Sequence, residues 1–109
     1  MMSVKSQAEA IAASDYTYDA TDEKNPPRLE AIVWEDHYSL NGWGTVDEKI
    51  SLGQREYIVT SVGYRLFEDQ KKVILTHTLS HVAGSAAETM VILKSTIRSR
   101  TTLTKKRNK

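Results

Sequence analysis

The side chains best suited to recognise a ligand are concentrated in residues 34–44, WEDHYSLNGWG. Flat aromatic rings with a few polar groups beside them can stack on a base or a ligand ring and fix its orientation. The carboxylates of Glu35 and Asp36 would repel phosphate, so this segment is not expected to contact phosphate groups. The candidate ligand-binding residues are Trp34, His37, Tyr38, Asn41 and Trp43.

Both tryptophans of this segment also have a structural interpretation. Trp34 continues the alternation of the strand before it, and we expect it in the core. Trp43 lies between two glycines in a loop, where it either closes one end of the folded domain or contacts a ligand.

A second candidate site is the basic end of the chain. Residues 94–109 carry seven basic residues and no acidic one, whereas residues 29–93 carry nine acidic and five basic residues. Such asymmetry suggests a nucleic-acid partner, and the alternative is a solubilising tail. Arg98 and Arg100 alternate with other residues of a strand, so we expect both to project from one face. The candidate phosphate contacts are Arg98, Arg100, Lys105, Lys106 and Arg107.

Signatures of catalysis and of metal binding are not found in the sequence. The chain has no Cys, which excludes disulfides, thiolate nucleophiles and Cys-based metal sites. It also has no Gly-rich phosphate loop and no nucleophile elbow. His77 and His81 are four apart in a strand-like stretch, a spacing of about 13 Å. Asp36 and His37 are adjacent on a strand and by spacing point to opposite faces. We therefore expect no enzymatic activity, no cofactor and no metal.

The period of the apolar residues predicts five strands between residues 28 and 104. Residues 29–34 and 56–67 alternate with strand period, and residues 72–81 return from the second of these as a hairpin. Gly63 lies in mid-strand and predicts a bulge or bend. Residues 89–94 and 97–103 give two more strands, with a single 3₁₀ turn between them at residues 94–96. Val62 and Ile92 are predicted core positions, residues 82–88 a loop, and residues 45–55 a polar connector with one helical turn.

This layout predicts an all-β fold, a small five-stranded and strongly bent antiparallel barrel of the Sm-like or Src-homology-3-like type. The alternative is an open, curved antiparallel sheet that pairs its edges with another subunit. Residues 28–104 form the barrel domain, and residues 105–109 are expected to be a disordered basic tail. Residues 1–27 are expected to be a flexible or weakly helical extension that folding does not need, with Tyr16 and Tyr18 in solvent.

Size and hydropathy limit where the protein acts. A chain of 109 residues builds a small core, so a homo-oligomer is expected. No apolar run approaches the ~20 residues of a membrane span, and the first residues lack the apolar region of a signal peptide. These features predict a soluble, cytoplasmic protein with no membrane partner.

Five short motifs occur in an order that resembles a family of short tailed-bacteriophage and prophage proteins. They are Trp34-Glu35-Asp36, Gly42-Trp43, Ser61-Val62-Gly63, Val73-Ile74-Leu75 and Ile92-Leu93-Lys94-Ser95-Thr96-Ile97. The resemblance covers residues 31–103 and departs from the family pattern at Leu93, where Pro is expected. It implies a phage accessory protein inside an infected bacterium and carries no catalytic residue.

Three functions are compatible with these observations. The first is a non-enzymatic, oligomeric binding module for nucleic acid or a nucleotide-like ligand, in which the basic end contacts phosphate and an aromatic side chain stacks. The second is a protein-interaction module that inhibits or recruits a host protein through a sheet edge or the loop at residues 38–54. The third is a structural or assembly accessory.

Overall fold

The computed structural model describes residues 15–20, 27–80 and 84–104 of the chain. These residues form six strands, one α-helix and one 3₁₀ turn. In chain order the elements are β1 (Tyr16–Thr17), β2 (Leu29–Asp36), α1 (Val46–Leu52), β3 (Tyr57–Glu68), β4 (Lys72–Ser80), β5 (Ser85–Leu93), the 3₁₀ turn (Lys94–Thr96) and β6 (Ile97–Leu103).

All strands belong to one antiparallel sheet. The strand order is β5-β4-β3-β2-β6, and β1 pairs with the far end of β3. The predicted all-β, antiparallel character is therefore confirmed. Within the described residues, however, the sheet is not closed, because β5 and β6 are its two ends and do not pair. Barrel closure of the Sm or Src-homology-3 type remains a prediction.

The sheet bends at β3, which changes partners along its length. Its first eight residues pair with β2, and four of its last five residues pair with β4. Leu66 is an extra residue in the β3–β4 ladder, because Arg65 pairs with Leu75 while Phe67 pairs with Ile74. Such a bulge bends and twists a strand. Gly63 allows β3 and β4 to approach closely at the bend, because a β-carbon at this position would lie only 2.9 Å from the carbonyl oxygen of Thr76.

The hydrophobic core lies on the inner face of this bent sheet. It consists of Ile32, Val73, Leu75, Ile92 and Ile97, with Trp34 packed against it. The core position expected for Ile92 is thus confirmed, whereas Trp34, also expected in the core, is half-buried and packs against the core.

The core position predicted for Val62 is wrong. Its side chain is 42% exposed, and it lies opposite Ala31 on the outer face. At this point the inner face of β3 carries Ser61 and Gly63, which leave room for Leu75 of the crossing strand. Alternation divided β3 into two faces correctly but did not identify which of them is buried.

Two predicted boundaries also shift. Strand β5 begins at Ser85, so residues 85–87 pair with β4 instead of forming the end of a loop. The connector forms the seven-residue helix α1.

Part of the predicted N-terminal extension is structured. Tyr16 pairs with Glu68, and the Tyr18 N–H donates to the carbonyl of Leu66 at 2.8 Å. Both tyrosines are half-buried, so the expectation that they lie in solvent is wrong. Residues 1–14 and 21–26 of the extension, and residues 105–109 of the tail, lie outside the described residues.

We expect Ile92→Ala to lower the free energy of unfolding by roughly 2–4 kcal/mol, because it leaves a cavity in a small core. Val62→Ala should cost less than about 1 kcal/mol, since the removed methyl groups are partly solvated already. Urea unfolding of both variants measures the difference. Equal losses would show that the outer face of β3 is covered.

Candidate functional site

The aromatic segment of residues 34–44 begins at the end of β2 and continues as a loop into α1. Tyr38 anchors it, because its hydroxyl lies within hydrogen-bonding distance of the Leu52 and Arg55 carbonyl oxygens. The Tyr38 ring also packs against Tyr57, with centroids 5.9 Å apart. Lys49 holds the middle of the loop by donating to the carbonyls of residues 41 and 42, the second at 2.7 Å. The loop is therefore tied to the helix that follows it.

Two of the five predicted ligand-binding residues line a common groove. Trp34 and His37 face Val91 and Leu93 across a space of about 480 Å³ at the open side of the sheet. Trp34 is fixed there, since its Nε1 donates to the Ser61 Oγ at 3.0 Å. The remaining lining residues are Glu35, Asp36, Ser95 and Thr96.

The other three predicted residues do not line this groove. Tyr38 points toward the end of α1, and Asn41 contributes its backbone carbonyl to Lys49. Trp43 is fully exposed. The structure thus divides the predicted aromatic site into a groove at Trp34 and a separate surface at Trp43.

The surface at Trp43 continues along α1. This helix starts with Thr45, whose side chain accepts from the Glu48 N–H at 3.1 Å, and it buries none of its residues. Val46 and Ile50 are four apart and therefore share one helix face. Both side chains are exposed. We call Trp43, Val46 and Ile50 the Trp43 patch.

Asp36 and His37 are closer than their spacing predicted. The His37 Nδ1 lies 3.3 Å from the Asp36 Oδ1, because β2 ends at Asp36 and the chain turns there. The His37 side chain is otherwise solvent-exposed, and no third catalytic group accompanies the pair among the contacts of the described residues.

Arg100 does not lie on the surface, which corrects its prediction as a phosphate contact. Its side chain is 2% exposed and forms two paired contacts, one with Glu30 and one with Glu68. The shortest distances are 2.7 Å from Nε to Glu30 Oε1 and 2.7 Å from Nη2 to Glu68 Oε1.

Two further cations complete this buried charge cluster. Arg65 contacts Glu68 at 2.8 Å and Glu30 at 3.1 Å, and Lys94 contacts Glu68 at 2.7 Å. Tyr16 closes the outer side, with its ring centroid 4.2 Å from the Arg65 guanidinium carbon. Ion pairs between charged side chains thus connect β2, β3, β6 and the 3₁₀ turn.

The cluster keeps Glu68 ionised. Burial strongly favours the neutral acid, but hydrogen bonds from Arg100, Lys94 and Arg65 together outweigh it. They lower the pKa of Glu68 from 4.5 to about 2. Burial likewise opposes the charge of Arg100, yet its contacts with Glu68 and Glu30 raise its pKa.

Arg98 lies on the opposite side of β6 from Arg100, so the expectation that both share one face is wrong. Ser99 pairs with Val33 and Ile97 with Trp34, which leaves Arg98 as an extra residue between them. Its exposed guanidinium contacts Glu35 at 2.6 Å and Glu56 at 3.2 Å. These carboxylates raise the pKa of Arg98 and also neutralise it toward an incoming phosphate. Lys105, Lys106 and Arg107 lie outside the described residues.

No metal centre is found in the part of the chain that the structure describes, where no three His, Asp or Glu side chains converge. His77 has an acidic neighbour that its sequence context did not suggest, since its Nδ1 lies 3.5 Å from Glu88 Oε2. Both side chains are exposed. His81 is outside the described residues. The described helices include none long and apolar enough to cross a membrane.

Sequence reasoning missed the charge cluster and the Trp43 patch. For the patch a signal existed: residues 43, 46 and 50 follow the spacing of one helix face. For the cluster the signal was Glu30, which lies on the same face of β2 as Ile32 and Trp34. An acidic residue is unusual on a buried face.

Comparison of the chain with protein families, with curated proteins and with solved structures gave no match.

We expect stability to fall steeply as the pH drops from about 5 toward 2. Glu68 has a pKa near 2 in the folded protein and 4.5 as its ordinary value, so its contribution to stability is complete well above pH 4.5 and is lost progressively as the pH falls from 4.5 to about 2. That contribution is about 3 kcal/mol at neutral pH. Glu68→Gln should lower stability at pH 7 and flatten this pH dependence.

Glu35→Gln is the matched control, because it removes a carboxylate from an exposed pair and should cost at most about 1 kcal/mol. Chemical unfolding at several pH values measures all three proteins. An unchanged acid slope in the Glu68 variant would contradict the assignment.

Proposed function

We propose that this protein is a non-enzymatic protein-binding module that contacts its partner through the Trp43 patch. The observation that carries the proposal is the complete solvent exposure of Trp43, followed in the chain by two further exposed apolar side chains on a helix that buries none of its residues. Large aromatic side chains of this kind dominate binding energy when a partner covers them.

The patch is held in place before any partner arrives. Tyr38 ties the loop to the end of α1, Lys49 ties it to the middle, and Thr45 caps the start of the helix. Gly53 ends the helix by donating to the Lys49 carbonyl at 2.9 Å. A preformed surface loses little conformational entropy on binding, which favours affinity.

The charges around the patch define the partner. Asp47 and Glu48 lie in the first turn of α1. A complementary partner is a protein with an apolar groove rimmed by basic side chains, in the helix-in-groove mode of recognition. With the resemblance to phage accessory proteins, the proposal extends to a host protein of the infected bacterial cytoplasm.

We also propose that the complete fold is the small barrel predicted from the sequence. Its support is the strand order, the bend in β3 and the 3₁₀ turn immediately before the last strand. The Lys94 N–H donates to the Lys71 carbonyl at 2.8 Å, which ties that turn to the β3–β4 hairpin.

Binding of nucleic acid or of a nucleotide-like ligand is the second candidate function. Its specific support is the tail, since residues 105–109 carry four basic residues and no acidic one. For a nucleotide-like ligand the groove at Trp34 would supply the stacking surface. The pairing of Arg98 and Arg100 with glutamates leaves the tail as the main phosphate contact.

A photo-crosslinking amino acid at Val46 tests the first function. In bacterial extract we expect one discrete protein adduct, which Trp43→Ala should reduce at least about tenfold, as for an interface hot spot. The same crosslinker at Val62, on the outer face of the sheet, is the control and should give no such adduct. A lack of any adduct at Val46, or the same adduct at Val62, would contradict the proposal.

A gel shift at ~50 mM salt tests the second function, because non-specific binders are detectable at tens of micromolar under these conditions. If the tail binds phosphate, the full chain should shift DNA or RNA, and a chain that ends at Thr104 should not. Arg98→Gln should change the shift little. No shift with the full chain would exclude this function.

A further inference from the structure

The groove at Trp34 has an apolar wall that is large enough for a small molecule. Trp34, Val91 and Leu93 supply its apolar surface, and the two aliphatic side chains are each about half exposed. The hydrogen bond from the Trp34 Nε1 to the Ser61 Oγ holds the indole in place. The space of about 480 Å³ is of the size that small-molecule sites have in proteins.

The end of β2 makes this groove acidic. Its lining residues include Glu35 and Asp36 but no Lys and no Arg. Glu35 shares the guanidinium of Arg98 with Glu56, so that one positive charge faces two negative charges. A ligand in the groove therefore meets an excess of carboxylate, which attracts a cation and repels a phosphate.

Asp36 has a carboxylate oxygen that can bind such a cation. Its Oδ1 accepts from the backbone N–H of His37 at 2.8 Å and lies 3.3 Å from the His37 Nδ1. Its Oδ2 has no hydrogen-bond or ion-pair partner among residues 15–20, 27–80 and 84–104. Because the side chain is only 30% exposed, a cation at this oxygen is partly withdrawn from water. A charge-assisted hydrogen bond is stronger in such surroundings than in bulk solvent.

We propose that the groove at Trp34 binds a small organic cation in which an ammonium group is joined to a flat apolar body. The ammonium donates to the Asp36 Oδ2, and the body lies against Trp34 and the aliphatic side chains of β5. This ligand class is distinct from the nucleotide-like ligands considered above, and its site is separate from the Trp43 patch. Binding makes no use of strand pairing, so it is compatible with the small barrel.

Titration with four related compounds tests the ligand class, with the tryptophan indole signals in proton–nitrogen correlation spectra as the readout. The chain has two tryptophans, so the Trp34 signal reports on the groove and the Trp43 signal is an internal control. Tryptamine should shift the Trp34 signal. Tryptophol, which lacks the ammonium, and ethylamine, which lacks the ring, should each bind at least about tenfold more weakly. Indole-3-acetate, which carries a carboxylate instead, should not bind.

Single substitutions test the charges of the site. Asp36→Asn should weaken tryptamine binding at least about tenfold. Asp47→Asn on α1 changes the net charge equally and should leave the affinity unchanged. Arg98→Gln should strengthen binding about two- to fivefold, because it frees Glu35 and Glu56 from their shared cation. Urea unfolding checks that each variant is folded, and the titrations of the unchanged chain decide the ligand class without any variant.

Equal binding of tryptamine and tryptophol, or of tryptamine and ethylamine, would overturn the inference. So would an unchanged affinity in a folded Asp36→Asn variant, or no shift of the Trp34 signal at about 5 mM tryptamine. A shift of the Trp34 signal by indole-3-acetate or ATP would assign the groove to anions instead. Trp43→Ala removes one indole signal and should bind tryptamine normally, so failure of the groove and failure of the Trp43 patch give separate results.

Discussion

The position of Arg100 between Glu30 and Glu68 is the interaction on which the rest of the fold depends. Burying a charge costs several kcal/mol unless its partners are placed well enough to compensate. Here the compensation requires β2, β3, β6 and the 3₁₀ turn to be in one arrangement, because each supplies a member. A shift of β6 by one residue would turn Arg100 outward and leave two buried carboxylates short of a partner. The cluster therefore selects the register of the sheet as well as adding to its stability.

This arrangement explains how so small an aliphatic core suffices. The described core contains five aliphatic side chains and one half-buried tryptophan. A charge cluster occupies the same inner face directly beside this core, since Arg100 pairs with Ile32 and Glu68 with Val73. A larger protein would place more apolar side chains there. Within the described residues β5 and β6 do not pair with each other. The segment between β2 and β3 carries the exposed apolar side chains of the Trp43 patch.

The spacing of apolar residues predicted most of the strands correctly. It was less successful for burial, because the faces predicted for Val62 and Arg100 were wrong. The strand runs at residues 29–34, 56–67, 72–81 and 97–103, and the 3₁₀ turn between the last two strands, follow from alternation and turn residues. The prediction for Val62 was wrong because alternation defines two faces of β3 but does not say which one is buried. The close approach of β4 at Gly63 buries the less apolar face. The prediction that Arg98 and Arg100 share one face was wrong because a one-residue bulge moves the residues after it to the other face of the strand. No residue type in β6 predicts this bulge. The cluster joins residues as far apart as 30 and 100, and nothing local in the sequence relates them.

The separation of Glu30 from Arg100 also has a consequence for biosynthesis. Arg100 is the last member of the cluster to be synthesised, 70 residues after its partner Glu30. Until Arg100 has emerged from the ribosome, the carboxylates of Glu30 and Glu68 lack the arginine that they share. Native contacts of such long range form slowly. The native sheet therefore cannot form before Arg100 is available, and a nascent chain that still lacks β6 is exposed to chaperones and proteases.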